Sequence, residues 1–253
     1  MRTSFPSLFS TYQRATTLWA KTFVDLLPFL LLWMLCQILL EYFFPLQDQI
    51  SMPFFALLFS DMAITALFFG VIINGLYQRY QAIPFDFMGS FKIGFKRFLP
   101  TYLAYAIVTL PLLLVLLAFS GLLYFGKLLP LHWVMTLLSM QHVIILLAAV
   151  MSLALAVLFF MAGVLIVIFK QHVLVALKRS VQLVKQYWMD TLLIIVLFGI
   201  IAAFASLLLA ELNIPYIKGI TTLVLSSFYP ALMIIHYSDL ETASISTHGS
   251  KPM

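Results

Sequence analysis

Long apolar runs alternate with short polar intervals along most of the chain. Six of these runs are long enough to cross a bilayer, because about 20 helical residues span its hydrocarbon core. They lie at about residues 25–44, 54–77, 99–119, 143–169, 191–210 and 219–237. The pattern therefore predicts an all-α, polytopic integral membrane protein with about six transmembrane helices.

The polar interval at residues 170–190 combines basic residues with an apolar helical stripe. Apolar side chains recur at steps of three and four, as on one face of a helix, at Leu174, Leu177, Val181, Val184 and Trp188. Lys178, Arg179 and Lys185 fall outside this stripe. A short basic amphipathic helix of this kind is expected to lie at the membrane surface between two spans.

Weaker versions of this interval precede the first and third spans. Before the third span, a similar apolar stripe is flanked by three basic residues, Lys92, Lys96 and Arg97. The layout predicts three short cytoplasmic amphipathic helices and a threefold repeat, with units at about residues 1–77, 84–169 and 172–237. We expect one membrane domain over residues 1–238 and a disordered cytoplasmic tail over residues 239–253, which are polar.

Lysines and arginines are distributed unevenly between the two sides of this layout. Twelve fall in the N-terminal segment, the two basic intervals and the tail, whereas only Lys127 and Lys218 fall in the other connectors. Basic residues concentrate on the cytoplasmic side of membrane proteins. The distribution therefore predicts that both termini are cytoplasmic.

Composition supports the bilayer as the main solvent. Hydrophobic residues make up 64% of the chain and charged residues 9%, whereas an ordinary soluble domain is about 25% charged. The net charge of +5 comes from basic residues beside the spans, not from a basic stripe with exposed aromatics, so we expect no nucleic-acid partner. Cys36 is the only cysteine, which excludes a cysteine cluster for a metal, and no cofactor is expected.

A few polar side chains interrupt the apolar runs. Asp61 stands out, because an ionised carboxylate inside a span is costly unless it is paired, hydrated or protonated. It could belong to a proton or cation relay, or it could be a hydrogen-bonded structural aspartate. Its candidate partners, which could equally be polar contacts between helices, are Gln37, Asn74, Ser152, Ser226 and Tyr229. Gly70, Gly75 and Gly199 are expected to let helices approach closely.

The sequence lacks the short motifs of common enzyme classes. It contains no HExxH, GxSxG, Walker A or glycine-rich dinucleotide motif, and no pair of intramembrane aspartates. We therefore expect a protein without a catalytic site or a metal site.

Residues 163–201 carry a resemblance to a bacterial membrane family. A long span is followed by an ALKRSxxLVK helix, an aromatic pair and another span, and the match rests on Ala176, Leu177, Lys178, Arg179, Ser180, Leu183, Val184, Lys185 and Trp188. The chain resembles the YciC-like inner-membrane proteins and the related membrane domain of some bacterial glycerophosphodiester phosphodiesterases. The resemblance implies a six-span fold in a bacterial inner membrane. It implies no catalytic residue, because the matching residues belong to the membrane part alone.

Two functions are compatible with these patterns. The first is a non-enzymatic scaffold, or a component of envelope and lipid homeostasis, that works through its cytoplasmic face. In that case membrane lipids, anionic ones among them, are expected to contact Lys92, Lys96, Arg97, Lys178, Arg179 and Lys185. The alternative is a small transporter or permease subunit that uses Asp61. A membrane-protein partner or a second copy of the chain is compatible with either function.

Overall fold

The computed structural model of the chain describes residues 7–44, 52–125, 139–211 and 217–248. Within these ranges every regular element is helical. Six helices are long and apolar enough to cross a membrane. The protein is therefore an all-α, multi-pass membrane protein, as the hydropathy pattern predicts.

The first half of the chain contains two spans, a short helix and a third span. These are α1 (Leu8–Phe43), α2 (Met52–Tyr80), α3 (Phe87–Lys96) and α4 (Phe98–Phe125). α1 joins the first predicted amphipathic segment and the first span in one continuous helix. The prediction of a separate amphipathic helix before the first span is therefore wrong. Before the third span, α3 is a distinct short helix, as predicted. Asp86 caps α3, because its side chain accepts the backbone N–H of Gly89 at 2.9 Å.

The second half contains five helices. These are α5 (Gln141–Leu158), α6 (Ala162–Val167), α7 (Val173–Val184), α8 (Trp188–Glu211) and α9 (Ile217–His248), and a 3₁₀ turn (Lys185–Tyr187) joins α7 to α8. The fourth predicted span is thus interrupted at residues 159–161. α9 continues to His248. Residues 239–248 are therefore helical, and the prediction of a disordered tail is wrong for them. Residues 249–253 lie outside the described part of the chain.

The six spanning helices form a closed ring. Neighbours follow the order α1, α2, α4, α5, α8 and α9, and α9 returns to α1. The contact between α5 and α8 is the loosest link in this ring. α2 also packs directly on α9, and α1 contacts both of these helices.

Helix ends meet at one end of the bundle. The hydroxyls of Tyr80 and Ser238 lie 2.6 Å apart, which joins the last turn of α2 to α9. Thr191 Oγ1 lies 2.9 Å from Nε2 of His236, which joins the first turn of α8 to the same part of α9. Much of the fully buried core lies in the half of the bundle nearest this end.

Small residues bring helices close together in this half. A Cβ atom on Gly70 of α2 would lie 3.3 Å from the Cα of Gly94 on α3, and a Cβ on Gly75 would lie 2.7 Å from the ring of Phe85. The close approach of helices is therefore confirmed at Gly70, whereas Gly75 makes room for the side chains of Phe85 and Leu26. The same expectation is wrong for Gly199, because a Cβ there would meet no heavy atom within 4 Å in the part of the chain that the structure describes.

Candidate lipid-binding surface and intramembrane polar groups

Basic side chains gather at the end of the bundle where α2 and α9 are joined. We call it the basic end, defined by every lysine and arginine whose side chain the structure describes: Arg14, Lys21, Arg79, Lys92, Lys96, Arg97, Lys170, Lys178, Arg179 and Lys185. The two cations predicted on the other side, Lys127 and Lys218, have side chains outside the described part.

Two of these cations form salt bridges with carboxylates of the same chain. Arg14 Nη2 donates to both carboxylate oxygens of Asp239, at 2.8 and 2.6 Å, and Thr11 Oγ1 donates to the same carboxylate at 3.1 Å. Arg79 donates to Asp25 through Nε at 2.8 Å and through Nη2 at 2.6 Å. These pairs connect α1 to α9 and α1 to α2. They are therefore structural contacts between helices.

The short helix α3 is held against the bundle by small and polar residues. Ser90 is fully buried, and its hydroxyl accepts the side-chain amide of Asn74 on α2 at 3.0 Å. Gly94 lies one turn further along and approaches Gly70. Asn74, a candidate intramembrane polar residue from the sequence, thus fixes the position of a surface helix.

The short helix α7 is bound to the bundle through the hydroxyl of a buried serine. Ser180 is fully buried, and its hydroxyl lies at the interruption between α5 and α6. The hydroxyl donates to the carbonyl of Leu158 at 2.8 Å and accepts the backbone N–H of Met161 at 3.1 Å. Both groups belong to the backbone around the interruption, and a membrane interior offers no water to satisfy such groups.

The buried face of α7 differs from the predicted apolar stripe. Ala176, Leu177, Ser180 and Val184 are buried, whereas Leu174, which the stripe includes, is 78% exposed. Leu177 and Val184 of the stripe are buried, and Trp188, at its other end, is 38% exposed. The small side chains of Ala176 and Ser180 allow α7 to approach the α5–α6 interruption, and this contact rotates Leu174 outward.

Six cations on α3 and α7, or directly after them, are turned away from the packed side of each helix. Lys92, Lys96, Lys178 and Lys185 are exposed, and Arg97 and Arg179 are partly exposed. Within the described part of the chain none of these six forms a salt bridge. Arg179 lies over the ring of Phe169, with its guanidinium carbon 5.9 Å from the ring centroid. Large apolar side chains, Met88 and Phe95 on α3 and Leu174 on α7, are exposed on the same helices.

The side chain of Asp61 is paired. Gln37 on α1, one of its candidate partners, donates its amide to Asp61 Oδ1 on α2 at 2.6 Å. Both residues are partly buried, and Asp61 does not line the cavity described below. The arrangement connects two spans through one hydrogen bond between side chains.

The other candidate polar residues separate into two groups. Ser226 and Tyr229 line a cavity within the bundle, whereas Asn74 contacts α3 and lies outside that lining. Sequence reasoning missed the roles of Ser90, Ser180 and Asp239. The signal in the sequence that could have identified the two serines is a small polar residue in the middle of a basic amphipathic segment.

No group of three or more histidine, cysteine, aspartate or glutamate side chains in the described residues could hold a metal ion. Comparison of the chain with protein-family models, with curated proteins and with solved structures finds no match. The resemblance to YciC-like proteins therefore stays a prediction.

Proposed function

We propose that the protein is a non-enzymatic component of a bacterial inner membrane that gathers anionic lipid at its basic end, with both termini in the cytoplasm. In this role it is a scaffold or a component of lipid homeostasis. The observation that carries the proposal is the set of six cations on α3 and α7 and directly after them, which form no salt bridge to the described part of the chain.

The two surface helices are suited to this role because their positions are fixed. α3 is bound through Asn74 and Ser90, and α7 through Ser180. Neither anchor uses a cation, so the basic side chains remain available to phosphate groups. Exposed apolar side chains on the same helices can enter the acyl region while the cations contact headgroups.

Charge placement also supports the orientation. Each lysine or arginine near an anionic leaflet contributes about 1 kcal/mol of attraction, and basic residues concentrate on the cytoplasmic side. Lys178 and Arg179 on α7, with Lys185 in the turn after it, would therefore contribute about 3 kcal/mol, which corresponds to a change of about a hundredfold in lipid retention.

The test compares lipid retention between charge variants. The full chain is reconstituted in phosphatidylethanolamine with phosphatidylglycerol, and bound lipid is measured by native mass spectrometry. The Lys178→Gln, Arg179→Gln, Lys185→Gln variant should lose most bound phosphatidylglycerol. A matched variant with Lys178→Arg and Lys185→Arg should retain it, because the charge is kept. Equal retention in the wild type and the glutamine variant would leave these cations with a topological role alone.

The transporter alternative depends on Asp61. The hydrogen bond from Gln37 accounts for the carboxylate as a contact between two spans, and this favours the scaffold proposal.

A further inference from the structure

A cavity of about 430 Å³ lies within the ring of helices, where α4, α5 and α8 face the α2–α9 pair. Its volume falls within the range of about 300 to 1,000 Å³ that is usual for small-molecule sites. The interruption between α5 and α6 forms one wall through Phe159 and Phe160. The walls are otherwise mostly apolar, with hydroxyl groups from several helices.

Two residues of the lining each carry a buried polar atom that has no protein partner in the described part of the chain. These atoms are the indole nitrogen of Trp33 and the hydroxyl of Thr101. Both residues are deeply buried, with exposed fractions of 4% and 3%. The ring of Trp33 stacks on Phe68 at a centroid distance of 5.9 Å. Buried polar groups usually bind a partner, so these atoms favour a ligand with a hydrogen-bond acceptor for the indole N–H.

The lining is uncharged. It contains the hydroxyls of Thr101, Tyr105, Ser226 and Tyr229, but no lysine, arginine, histidine or carboxylate among the described residues. An ionised headgroup moved into such a site would lose hydration without gaining an opposite charge. The part of a ligand that enters the cavity is therefore uncharged.

The cavity reaches the lipid-facing surface of the bundle. Tyr105, Ser206 and Thr222 line it, and each is exposed. They lie on the spanning helices α4, α8 and α9, so their exposed surfaces face the bilayer. A ligand that enters from the bilayer can leave its acyl chains in the hydrocarbon while its polar group contacts the hydroxyls inside.

We propose that this cavity binds an uncharged lipid with a free hydroxyl group, of the diacylglycerol type. An ester carbonyl of such a lipid would accept the Trp33 N–H, and its hydroxyl would bond to Thr101. This site is separate from the cations of the basic end. The proposal therefore does not depend on anionic-lipid binding there.

The experiment uses a diacylglycerol with a photoactivatable diazirine in one acyl chain. The full-length protein is labelled in phosphatidylethanolamine and phosphatidylglycerol vesicles, and the adducts are located by mass spectrometry. Adducts should fall on residues that line the cavity. Unlabelled diacylglycerol should compete, and phosphatidic acid with the same acyl chains should not. Adducts confined to residues outside the lining, or equal competition by phosphatidic acid, would overturn the proposal.

Variants test the site directly. Trp33→Phe with Thr101→Val removes both unpartnered polar atoms, and it should lower cavity labelling about tenfold or more. Ala202→Phe fills the cavity, whereas its neighbour Ala203 is exposed and does not line it. Labelling should therefore fall in Ala202→Phe and persist in Ala203→Phe. Equal labelling in that matched pair would also contradict the proposal, even if the double variant folds poorly.

A further variant separates this inference from the proposed function. The glutamine variant of Lys178, Arg179 and Lys185 should keep diacylglycerol labelling, because none of the three lines the cavity. A competing long-chain alcohol distinguishes the chemistry of the ligand. Competition as strong as that of diacylglycerol would show that the ester carbonyl is not needed and would overturn the diacylglycerol assignment.

Discussion

The hydroxyl of Ser180 on α7 donates to the backbone carbonyl of Leu158 at 2.8 Å, at the end of α5. The same oxygen accepts the N–H of Met161, at the start of α6. One side chain therefore binds the backbone on both sides of the interruption. The surface helix and the interrupted span stabilise each other through this contact.

Removing the Ser180 hydroxyl should lower the stability of the protein. Ser180→Ala leaves two backbone groups without their partner, and we expect a loss of about 1–3 kcal/mol in the free energy of unfolding. The amide of Met161 should also exchange hydrogen faster. Unfolding in mixed micelles and hydrogen exchange measure the two effects. Ser152→Ala is the matched control, because the Ser152 hydroxyl is buried but has no partner in the described part of the chain. Equal losses in both variants would contradict the assigned role.

The number and approximate positions of the spanning helices could be predicted, because the hydropathy of each segment can be read from its own residues alone. Six apolar runs of sufficient length gave the six spans. The interruption at residues 159–161 could not be predicted in this way. Those residues are as apolar as their neighbours, and the hydroxyl that satisfies the interruption comes from Ser180 on another helix. The buried face of α7 could not be predicted for the same reason, because small residues at the contact determine it.

Some of the polar site residues could be identified from the sequence, and others could not. Gln37 and Asp61 interrupt apolar runs and are therefore visible in the sequence. Trp33 and Thr101 were not identified as site residues, because tryptophan and threonine are ordinary in membrane spans. Only the packing of several helices leaves their polar atoms buried without a partner among the residues that the structure describes.

The Arg14–Asp239 pair should respond asymmetrically to substitution. Asp239 is buried, with its side chain 5% exposed, whereas the Arg14 side chain is 45% exposed. Arg14→Gln leaves a carboxylate in a buried site, but Asp239→Asn leaves a guanidinium that water can still solvate. We therefore expect Arg14→Gln to lower the free energy of unfolding more than Asp239→Asn. Unfolding of both variants and of the double variant measures the difference, and the reverse order would contradict this account.

Thiol labelling tests the orientation of the bundle. In a Cys36→Ala background, single cysteines at Lys92 and Lys178 should be protected from an impermeant reagent in intact cells, because both belong to the basic end. Cysteines at Asp48 and Lys127 should react. Permeabilised cells provide the control, since the two basic-end positions are exposed side chains and should then react. Labelling of Lys92 and Lys178 positions in intact cells would invert the proposed topology.

Asp61 separates the structural function from the transport function. Gln37 donates to its carboxylate at 2.6 Å, and the side-chain oxygen of asparagine can accept the same hydrogen bond. Asp61→Asn should therefore change the free energy of unfolding by less than about 1 kcal/mol, whereas Asp61→Leu should cost about 1–3 kcal/mol, because the Gln37 amide loses its acceptor. The Gln37→Leu, Asp61→Leu variant should recover part of that loss, which a double-mutant cycle measures. A carboxyl group that titrates in infrared spectra, together with a transport or growth defect in a stably folded Asp61→Asn protein, would instead favour the relay. The near-isosteric variant decides between them, because it removes the charge while keeping the contact between α1 and α2.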